Sequence, residues 1–382
     1  MAGALKAPGG PPFRAEHIGS LLRPERLMAA RRRCGIGEIG REELAVVEAE
    51  EIAGAVKLQE AAGFAVVTDG EFRRASYHSY FYSRLGSRPG DITIDAVPAA
   101  DAAFGDGRGA QPVARIGSRI AWRTPIHVED FVRLEAIAST STPGLLPKIT
   151  IPGPCALHFR GGDGAVTATA YTDVDAFWSD IVDAFRCELA ALAAAGCRYV
   201  QIDETAFAKF GDPDVQAMLA ARGDDWNTLI DRYIDVTNAV IRGFPGLAVG
   251  MHLCRGNRGG RWHASGSYDA VADRLFNRLD IAFFFLEYDT PRAGDFTPLR
   301  YLPAHKTVTL GLVSTKTEAM EDIDELRRRV AEASRFVDPG RLGISPQCGF
   351  ASVETGNPVT AEAQEAKLRL VVDAARAIWG TN

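Results

Sequence analysis

The chain has 382 residues, of which 46% are hydrophobic, and a formal net charge of −6 at pH 7. That balance argues against a surface built for nucleic acid or for an anionic membrane, since either needs a basic patch. The sequence contains no run of about 20 consecutive apolar residues, which a membrane-spanning helix requires. Its 6 cysteines are too sparse for a disulfide-stabilised secreted protein, so the cytoplasm is the expected compartment.

Short apolar runs alternate along the chain with longer amphipathic stretches, a pattern typical of a parallel sheet with crossover helices. We predict eight strands, at 13–20, 64–72, 146–154, 198–205, 247–254, 281–289, 306–314 and 341–349. Helical periodicity fills the intervals, most clearly at 41–63, 173–195, 224–243, 317–336 and 360–378. Eight βα units predict an α/β protein with a (β/α)8 TIM barrel, in one domain that covers residues 1–382.

Two segments depart from this rhythm. Residues 1–12 are rich in Gly and Pro and predict a flexible arm rather than a signal peptide. Residues 75–145 form a long stretch rich in Gly, Pro and Asp, which we interpret as an insertion after the second strand. The string ARIGSRIAWRTP within it favours a hairpin. An insertion at this point is placed to cover the barrel mouth, although the sequence does not show whether it acts as a lid.

Polar residues collect where the predicted strands end. In a TIM barrel the carboxyl ends of all strands meet at one face, and active sites lie there. We therefore expect these side chains to surround a single site. They are His17, Ser20, Asp69, Glu71, Asp203, Glu204, His252, Cys254, Glu287, Asp289, Ser314, Lys316, Gln347 and Cys348.

Four of these residues, His252, Cys254, Glu287 and Cys348, have the chemistry of a zinc site. His252 and Cys254 are two positions apart on a strand, so their side chains point to the same face and can share one ion. A soft, Lewis-acidic metal with thiolate ligands and an exchangeable position can activate an incoming thiol as a nucleophile. The pattern therefore indicates sulfur alkylation.

Each of these residues also has a purely structural interpretation. Buried His and Cys on a strand often only pack. Glu287 follows a run of apolar residues, and a buried carboxylate needs a partner. That partner is either a metal ion or a neighbouring Arg or Lys.

The segments HIGSLLRP, VVTDGEFRR, QIDE, HLC, FLEYD and PQCGF carry a family resemblance. In this order they resemble the C-terminal catalytic barrel of the cobalamin-independent methionine synthases, and in particular the short single-barrel relatives. The resemblance covers nearly the whole chain. It implies an S-methyltransferase that converts homocysteine into methionine. It also implies that Zn²⁺ is bound by His252, Cys254, Glu287 and Cys348.

The resemblance further implies how the acceptor amino acid is held, namely by Ile18, Gly19 and Ser20 together with Glu71 and Asp203. The two carboxylates are suited to the α-ammonium group of homocysteine. Ser20 and nearby backbone N–H groups are suited to its α-carboxylate.

Three departures from the family pattern concern the methyl donor. Lys209 stands where the family has a Glu that contacts folate, and Gln347 replaces an Asp that precedes the ligand Cys. The string LVSTKT replaces the motif whose His protonates the folate leaving nitrogen, and methylfolate leaves poorly without that proton. Lys316 within this string either supplies the proton, with a lowered pKa, or is simply solvated. The donor therefore stays open between a methylfolate, a methylcorrinoid protein and another activated methyl compound.

The sequence leaves several roles and functions open. Arg255, with Arg258 and Trp262, either binds an anionic or aromatic donor or caps the barrel, and His17 either orients the thiol or is structural. One alternative function is a zinc alkyltransferase of the epoxide:coenzyme M type, which would not need Glu71 and Asp203. Two others are a non-catalytic zinc barrel and a metal-free barrel, such as a lyase, in which the cysteines only pack. Nothing in the sequence indicates an oligomeric state.

Overall fold

The computed structural model describes residues 13–88, 90–96 and 112–381, so the arm predicted at 1–12 lies outside it. Among the described residues no helix is long and apolar enough to cross a membrane. The strands are β1 (Val66–Val67), β2 (Ile92–Ala96), β3 (Pro112–Ile116), β4 (Leu146–Pro147), β5 (Ile149–Pro152), β6 (Tyr199–Asp203), β7 (Ala248–Leu253), β8 (Phe283–Glu287), β9 (Thr307–Val313) and β10 (Leu342–Pro346).

Strands β5 to β10 form one parallel sheet in which neighbours along the chain are also neighbours in space. At one edge, β4 leads directly into β5 and pairs in parallel with β1, where Val66 lies opposite Leu146. At the other edge, Ala15 forms a parallel bridge to Ile344 of β10. These pairings connect eight segments in a ring, which is the predicted TIM barrel.

The first segment of the ring is less regular than the predicted strand 13–20, since it pairs as a strand only at Ala15. Gly19, whose φ is 131°, interrupts the regular extension. The backbone N–H of Leu21 then donates to the carbonyl of Gly70 at 3.1 Å, which ties the first segment to the chain that follows β1.

The helices are α1 (Glu25–Gly35), α2 (Arg41–Ala62), α3 (Ser79–Tyr82), α4 (Val128–Ser139), α5 (Ala156–Thr167), α6 (Val174–Ala194), α7 (Ala206–Lys209), α8 (Pro213–Ala221), α9 (Trp226–Ile241), α10 (Asp269–Arg278), α11 (Ile323–Ala333) and α12 (Ala361–Trp379). The five long helices predicted from periodicity correspond to α2, α6, α9, α11 and α12. Between β8 and β9 there are two 3₁₀ helices, Pro291–Ala293 and Thr297–Tyr301, and no α-helix. A proline in the first turn of each of them is compatible with a helix start, but neither segment continues into an α-helix.

Segment 75–145 does contain a hairpin, but its position differs from the prediction. Strands β2 and β3 pair antiparallel, with Ile92 opposite Ile116, so the string at 114–125 supplies part of only one strand. The same segment ends in α4, which buries Phe131 and Leu134 and serves as the helix of the second βα unit. Only the part before α4 is therefore extra to the barrel.

A network of buried polar groups lies inside the barrel and extends to Asp203 at the carboxyl end of β6. The ammonium of Lys148, which is fully buried, donates to Glu16 at 3.1 Å and to the side-chain oxygen of Gln201 at 3.0 Å. The Gln201 amide in turn donates to Asp203 Oδ1 at 2.8 Å. A buried ammonium is stable only when it is paired and hydrogen-bonded, so this network is structural. It also fixes the orientation of Asp203 at the end of β6.

Candidate metal centre

The structure brings three of the four predicted zinc ligands together at the C-terminal face of the barrel. His252 lies in β7, Cys254 follows the end of that strand, and Cys348 follows the end of β10. Their ligand atoms all lie within 4.8 Å of one another, and all three residues are buried. A His and two Cys match the catalytic zinc sites that have three protein ligands and keep a position for a further ligand.

His252 is oriented by the residue next to it in the sheet. Its Nδ1 lies 3.0 Å from Asp203 Oδ1, and its Nε2 lies 3.2 Å from the carbonyl of Gln347. Burial lowers the pKa of this imidazole, but the hydrogen bond to Asp203 and the charge of Cys254 outweigh it and raise the pKa to about 9. A carboxylate on one imidazole nitrogen is the usual arrangement of a metal-ligating His, because it leaves the other nitrogen for the metal.

The two thiols interact with each other. Their hydrogen bond, assisted by the charge of His252, lowers the pKa of Cys254 to about 6 and raises the pKa of Cys348. The pair thus favours ionisation of Cys254, with Cys348 as the hydrogen-bond donor to it. Thiolates are the ligands that a soft divalent ion prefers, so the donor set fits zinc.

Glu287, the fourth predicted ligand, is at the end of β8 but is not part of this three-residue group. It is fully buried and accepts from the backbone N–H of Arg255 and from the guanidinium of Arg292, both at 2.6 Å. Burial raises the pKa of its carboxyl, but Lys316, Arg292 and Arg255 outweigh that and lower it to about 2. The carboxylate is ionised and salt-bridged. Its negative charge opposes the ionisation of Cys254, although the pKa of that thiol is still lowered overall.

A cavity opens at the three ligand candidates, and all three line it. Ile18, Ser20, Glu71 and Asp203, which were predicted to bind the acceptor, line the same cavity. Gly19 lies between two of them. A Cβ at this position would be 2.7 Å from the methyl group of Thr150, so glycine is needed for the first segment to approach the site.

Glu71 is the one residue other than glycine with a positive φ, 61°, in the part of the chain that the structure describes. One of its carboxylate oxygens accepts from the hydroxyl of Thr150 at 2.8 Å. The other, Oε2, is buried without a hydrogen-bond partner. Burial raises the pKa of this carboxyl. A strained backbone and an unpartnered carboxylate oxygen at a cavity wall are typical of a ligand-binding position.

Not all of the residues at the strand ends surround this cavity, since Asp69, Glu204, Asp289, Ser314 and Gln347 do not line it. Three residues with a predicted catalytic or binding role, His17, Arg255 and Lys316, do not line it either. The imidazole of His17 contacts Phe64, and its Nε2 lies 3.2 Å from the carbonyl of Val66. Burial, followed by the charge of Lys148, lowers its pKa to about 3. A role for His17 in orienting the thiol stays a prediction.

Arg255 and Lys316 are both held by protein groups. The Arg255 guanidinium donates to the carbonyls of Gly266, Glu287 and Ala293, which fits the capping interpretation of its loop. Lys316 lies 3.5 Å from Glu287 and 3.4 Å from Asp289. Donor binding by Arg255 and proton transfer by Lys316 stay predictions.

Several cavity residues were not identified from the sequence, namely Tyr77, His78, Arg160, Asn257 and His263. None of them ends a strand. Tyr77 and His78 lie in the segment interpreted as an insertion, and Arg160 lies inside α5. The strand-end rule therefore had no means to find them.

Comparisons with known proteins agree with the fold. Residues 161–377 match the family model of the catalytic domain of cobalamin-independent synthase. The uncharacterized protein YxjG of Bacillus subtilis is 39% identical over 372 residues, which cover 97% of this chain and 95% of YxjG.

Two solved structures superpose on the chain. The first, from Listeria monocytogenes and described as a candidate vitamin-B12-independent methionine synthase, has a TM-score of 0.72 and 31% identity, and the match covers 97% of this chain and 99% of that one. The second, a B12-independent methionine synthase from Shewanella sp. W3-18-1 in complex with selenomethionine, has a TM-score of 0.72 and 20% identity, with 96% and 97% covered. The chain belongs to the cobalamin-independent methionine synthase family, and this membership supports a methyltransferase role.

Proposed function

We propose that the protein is a zinc-dependent S-methyltransferase that binds homocysteine through its thiol and methylates the sulfur, which forms methionine. The observation that carries the proposal is the group formed by His252, Cys254 and Cys348 beneath a cavity whose wall contains an unpartnered carboxylate oxygen of Glu71. The selenomethionine in the Shewanella structure supports the proposal, because it is an amino acid with a methylated side-chain chalcogen, bound by a protein of this fold.

His252, Cys254 and Cys348 would hold the metal, and Glu287 is the candidate fourth ligand. A zinc ion supplies Lewis acidity, which keeps a coordinated thiol ionised at neutral pH. Asp203 keeps the imidazole of His252 in the orientation in which it can bind the ion.

The protein groups around the metal centre would position the acceptor. Glu71 Oε2 is available to accept from the α-ammonium of homocysteine, and Asp203 lies at the same wall. Ser20, which lines the cavity from the first segment of the barrel, would donate to the α-carboxylate. Holding the thiol in one orientation beside the donor converts a bimolecular reaction into an effectively unimolecular one.

The alternatives derived from the sequence have less support. A thiol without an ammonium group, as in the coenzyme M type of reaction, leaves the buried Glu71 oxygen without a partner, which costs free energy. A purely structural zinc site is closed to exogenous ligands, whereas His252, Cys254 and Cys348 all line a cavity.

The direct test is methionine formation, measured by mass spectrometry. Zinc-loaded protein receives L-homocysteine and either methyltetrahydrofolate or methylcobalamin in separate reactions. Methionine formed with either donor, and lost when zinc is removed by a chelator, is the expected result. A protein that binds no zinc, or that shows no zinc-dependent binding of homocysteine, would overturn the proposal.

A further inference from the structure

The cavity has a basic wall, which we define as Arg160 in α5, Lys209 at the end of α7, and Arg258 in the loop after β7. These residues come from three consecutive βα units and converge only in the folded barrel. Lys209 is almost fully buried, whereas Arg258 is exposed near the mouth. The cationic groups therefore extend from the depth of the cavity to its opening.

The three cationic groups of the basic wall all act on the same two imidazoles, those of His78 and His263. The pKa values of both His78 and His263 are lowered, first by burial and then by the positive charges of Arg160, Lys209 and Arg258. Burial, with a further contribution from Arg160, also lowers the pKa of Lys209, to about 7. The basic wall lines the same cavity as His252, Cys254 and Cys348, so it adjoins the metal centre.

Arg160 has hydrogen-bonding capacity that the described protein groups do not use. Its Nη2 donates to the hydroxyl of Tyr77 at 3.0 Å, while Nε and Nη1 are buried and have no hydrogen-bond partner. A guanidinium offers its donors in a planar fork that matches the oxygens of a carboxylate or phosphate. Buried donors of this kind at a cavity wall are costly unless a ligand or ordered water satisfies them.

Glu204, whose carboxylate interacts electrostatically with Arg160 and Lys209, does not use the unpartnered donors of Arg160. Both oxygens of Glu204 accept from backbone N–H groups, of Cys155 at 3.1 Å and of Ala206 at 2.9 Å. The carboxylates of Glu71 and Asp203, by contrast, line the part of the cavity next to His252. The cavity thus has an acidic side suited to an ammonium group and a basic side suited to an anion.

We propose that the basic wall binds an anionic group, a carboxylate or a phosphate-type oxyanion, of the second substrate. The inference rests on the proposed function, and it adds one requirement for the methyl donor, an anionic group that reaches the basic wall while the methyl group lies at the acceptor sulfur. A donor without an anionic group would leave the buried Nε and Nη1 donors of Arg160 without a partner. The carboxylate of the acceptor is the other possible source of the anion, and the experiment separates the two.

Isothermal titration calorimetry with inorganic phosphate as the probe tests the proposal. Phosphate is titrated into zinc-loaded protein saturated with L-homocysteine, so that the thiol and not the probe occupies the open metal position. We expect one phosphate site per chain, and affinity reduced by about tenfold or more in the double variant Arg160→Gln/Arg258→Gln, because charge-assisted hydrogen bonds are lost. Uncharged trimethyl phosphate should not bind. Arg335→Gln, at an exposed arginine in another part of the chain, is the matched control and should bind phosphate like the wild type.

Two results would overturn the proposal. The first is the absence of phosphate binding, or equal binding by the wild type and the double variant. The second is phosphate binding in the presence of 3-aminopropane-1-thiol, which lacks the carboxylate, but not in the presence of homocysteine; the wall would then bind the acceptor's own carboxylate. Homocysteine binding is measured separately in each protein, so failure of the zinc–thiol site is distinguishable from failure of the anion site.

Discussion

Cys348 is the residue that best distinguishes a metal centre from cysteines that merely pack. Its thiol belongs to the three-residue ligand group, whereas Cys187 is an exposed cysteine on α6. We expect Cys348→Ser to weaken zinc binding by at least roughly 10–100-fold, the loss that is typical when a residue that hydrogen-bonds a ligand is removed, since a direct ligand contributes more. Cys187→Ser should leave zinc binding unchanged. Competition with a chromogenic chelator measures both, and equal zinc affinity in the two variants would remove Cys348 from the ligand set.

Glu287 tests how far the family resemblance extends to this chain. Both of its oxygens already accept hydrogen bonds, from Arg292 and from the backbone of Arg255. We therefore expect Glu287→Gln to weaken zinc binding less than Cys348→Ser does, because binding of zinc by Glu287 requires it to give up part of these contacts. The same chelator competition ranks the two variants. An equal loss in both would show that Glu287 is a full ligand in the metal-bound protein.

Glu71 combines strain with an unpartnered oxygen, and its replacement should affect the acceptor but not the metal. In Glu71→Gln, zinc content should stay unchanged while homocysteine affinity falls by about tenfold or more, the cost of losing a charged hydrogen bond. The acceptor 4-mercaptobutanoate, which lacks the ammonium, is the control, and its binding should be the same in both proteins. A parallel loss for both thiols would indicate a general distortion of the cavity.

At the scale of secondary structure, the alternation of short apolar runs with amphipathic stretches predicted the barrel, because parallel strands are buried on both faces. Fully buried strands such as β9 appear in the sequence as continuous apolar runs and are easy to recognise. Helix α4 was missed because it follows a long irregular stretch that obscured the second βα unit. The site residues at strand ends were predictable because each of them directly follows a recognisable apolar run. Arg160, by contrast, reaches the cavity from within helix α5, and only the tertiary fold determines that this position faces the cavity.

The start of α11 shows a local signal that overrides periodicity. The predicted helix begins at residue 317, but the observed helix begins at Ile323, because Asp322 Oδ1 accepts from the N–H groups of Asp324 and Glu325. We expect Asp322→Ala to lower the free energy of unfolding by about 1 kcal/mol, as is typical when an N-cap is lost. Asp322→Asn keeps an acceptor and should cost little. Urea denaturation measures the free energy of unfolding of both variants. Equal values for Asp322→Ala and Asp322→Asn would show that this cap is not stabilising.

At the scale of the whole molecule, the barrel buries several imidazoles in an environment that favours their neutral form, unlike that of His252. The pKa values of five histidines are lowered, with burial as the main cause: His17, His78, His127, His158 and His263. For such a group the unfolded chain takes up a proton below about pH 6.5, while the folded protein does not until the pH is much lower. The stability contributed by these residues is therefore fully present above that pH and is lost as the pH falls.

His17 isolates one of these contributions, because it is buried away from the cavity and its pKa is lowered to about 3. Between about pH 6 and 5, a His that is protonated only in the unfolded chain lowers the free energy of unfolding by about 1.4 kcal/mol per pH unit. The variant His17→Asn should therefore be less stable at neutral pH but have a pH slope that is shallower by about this amount. Denaturant unfolding at several pH values measures the slope, with His305→Asn, at an exposed residue, as the control. An unchanged slope in His17→Asn would show that this imidazole is protonated equally in the folded and unfolded states, and its burial would then not contribute to acid destabilisation.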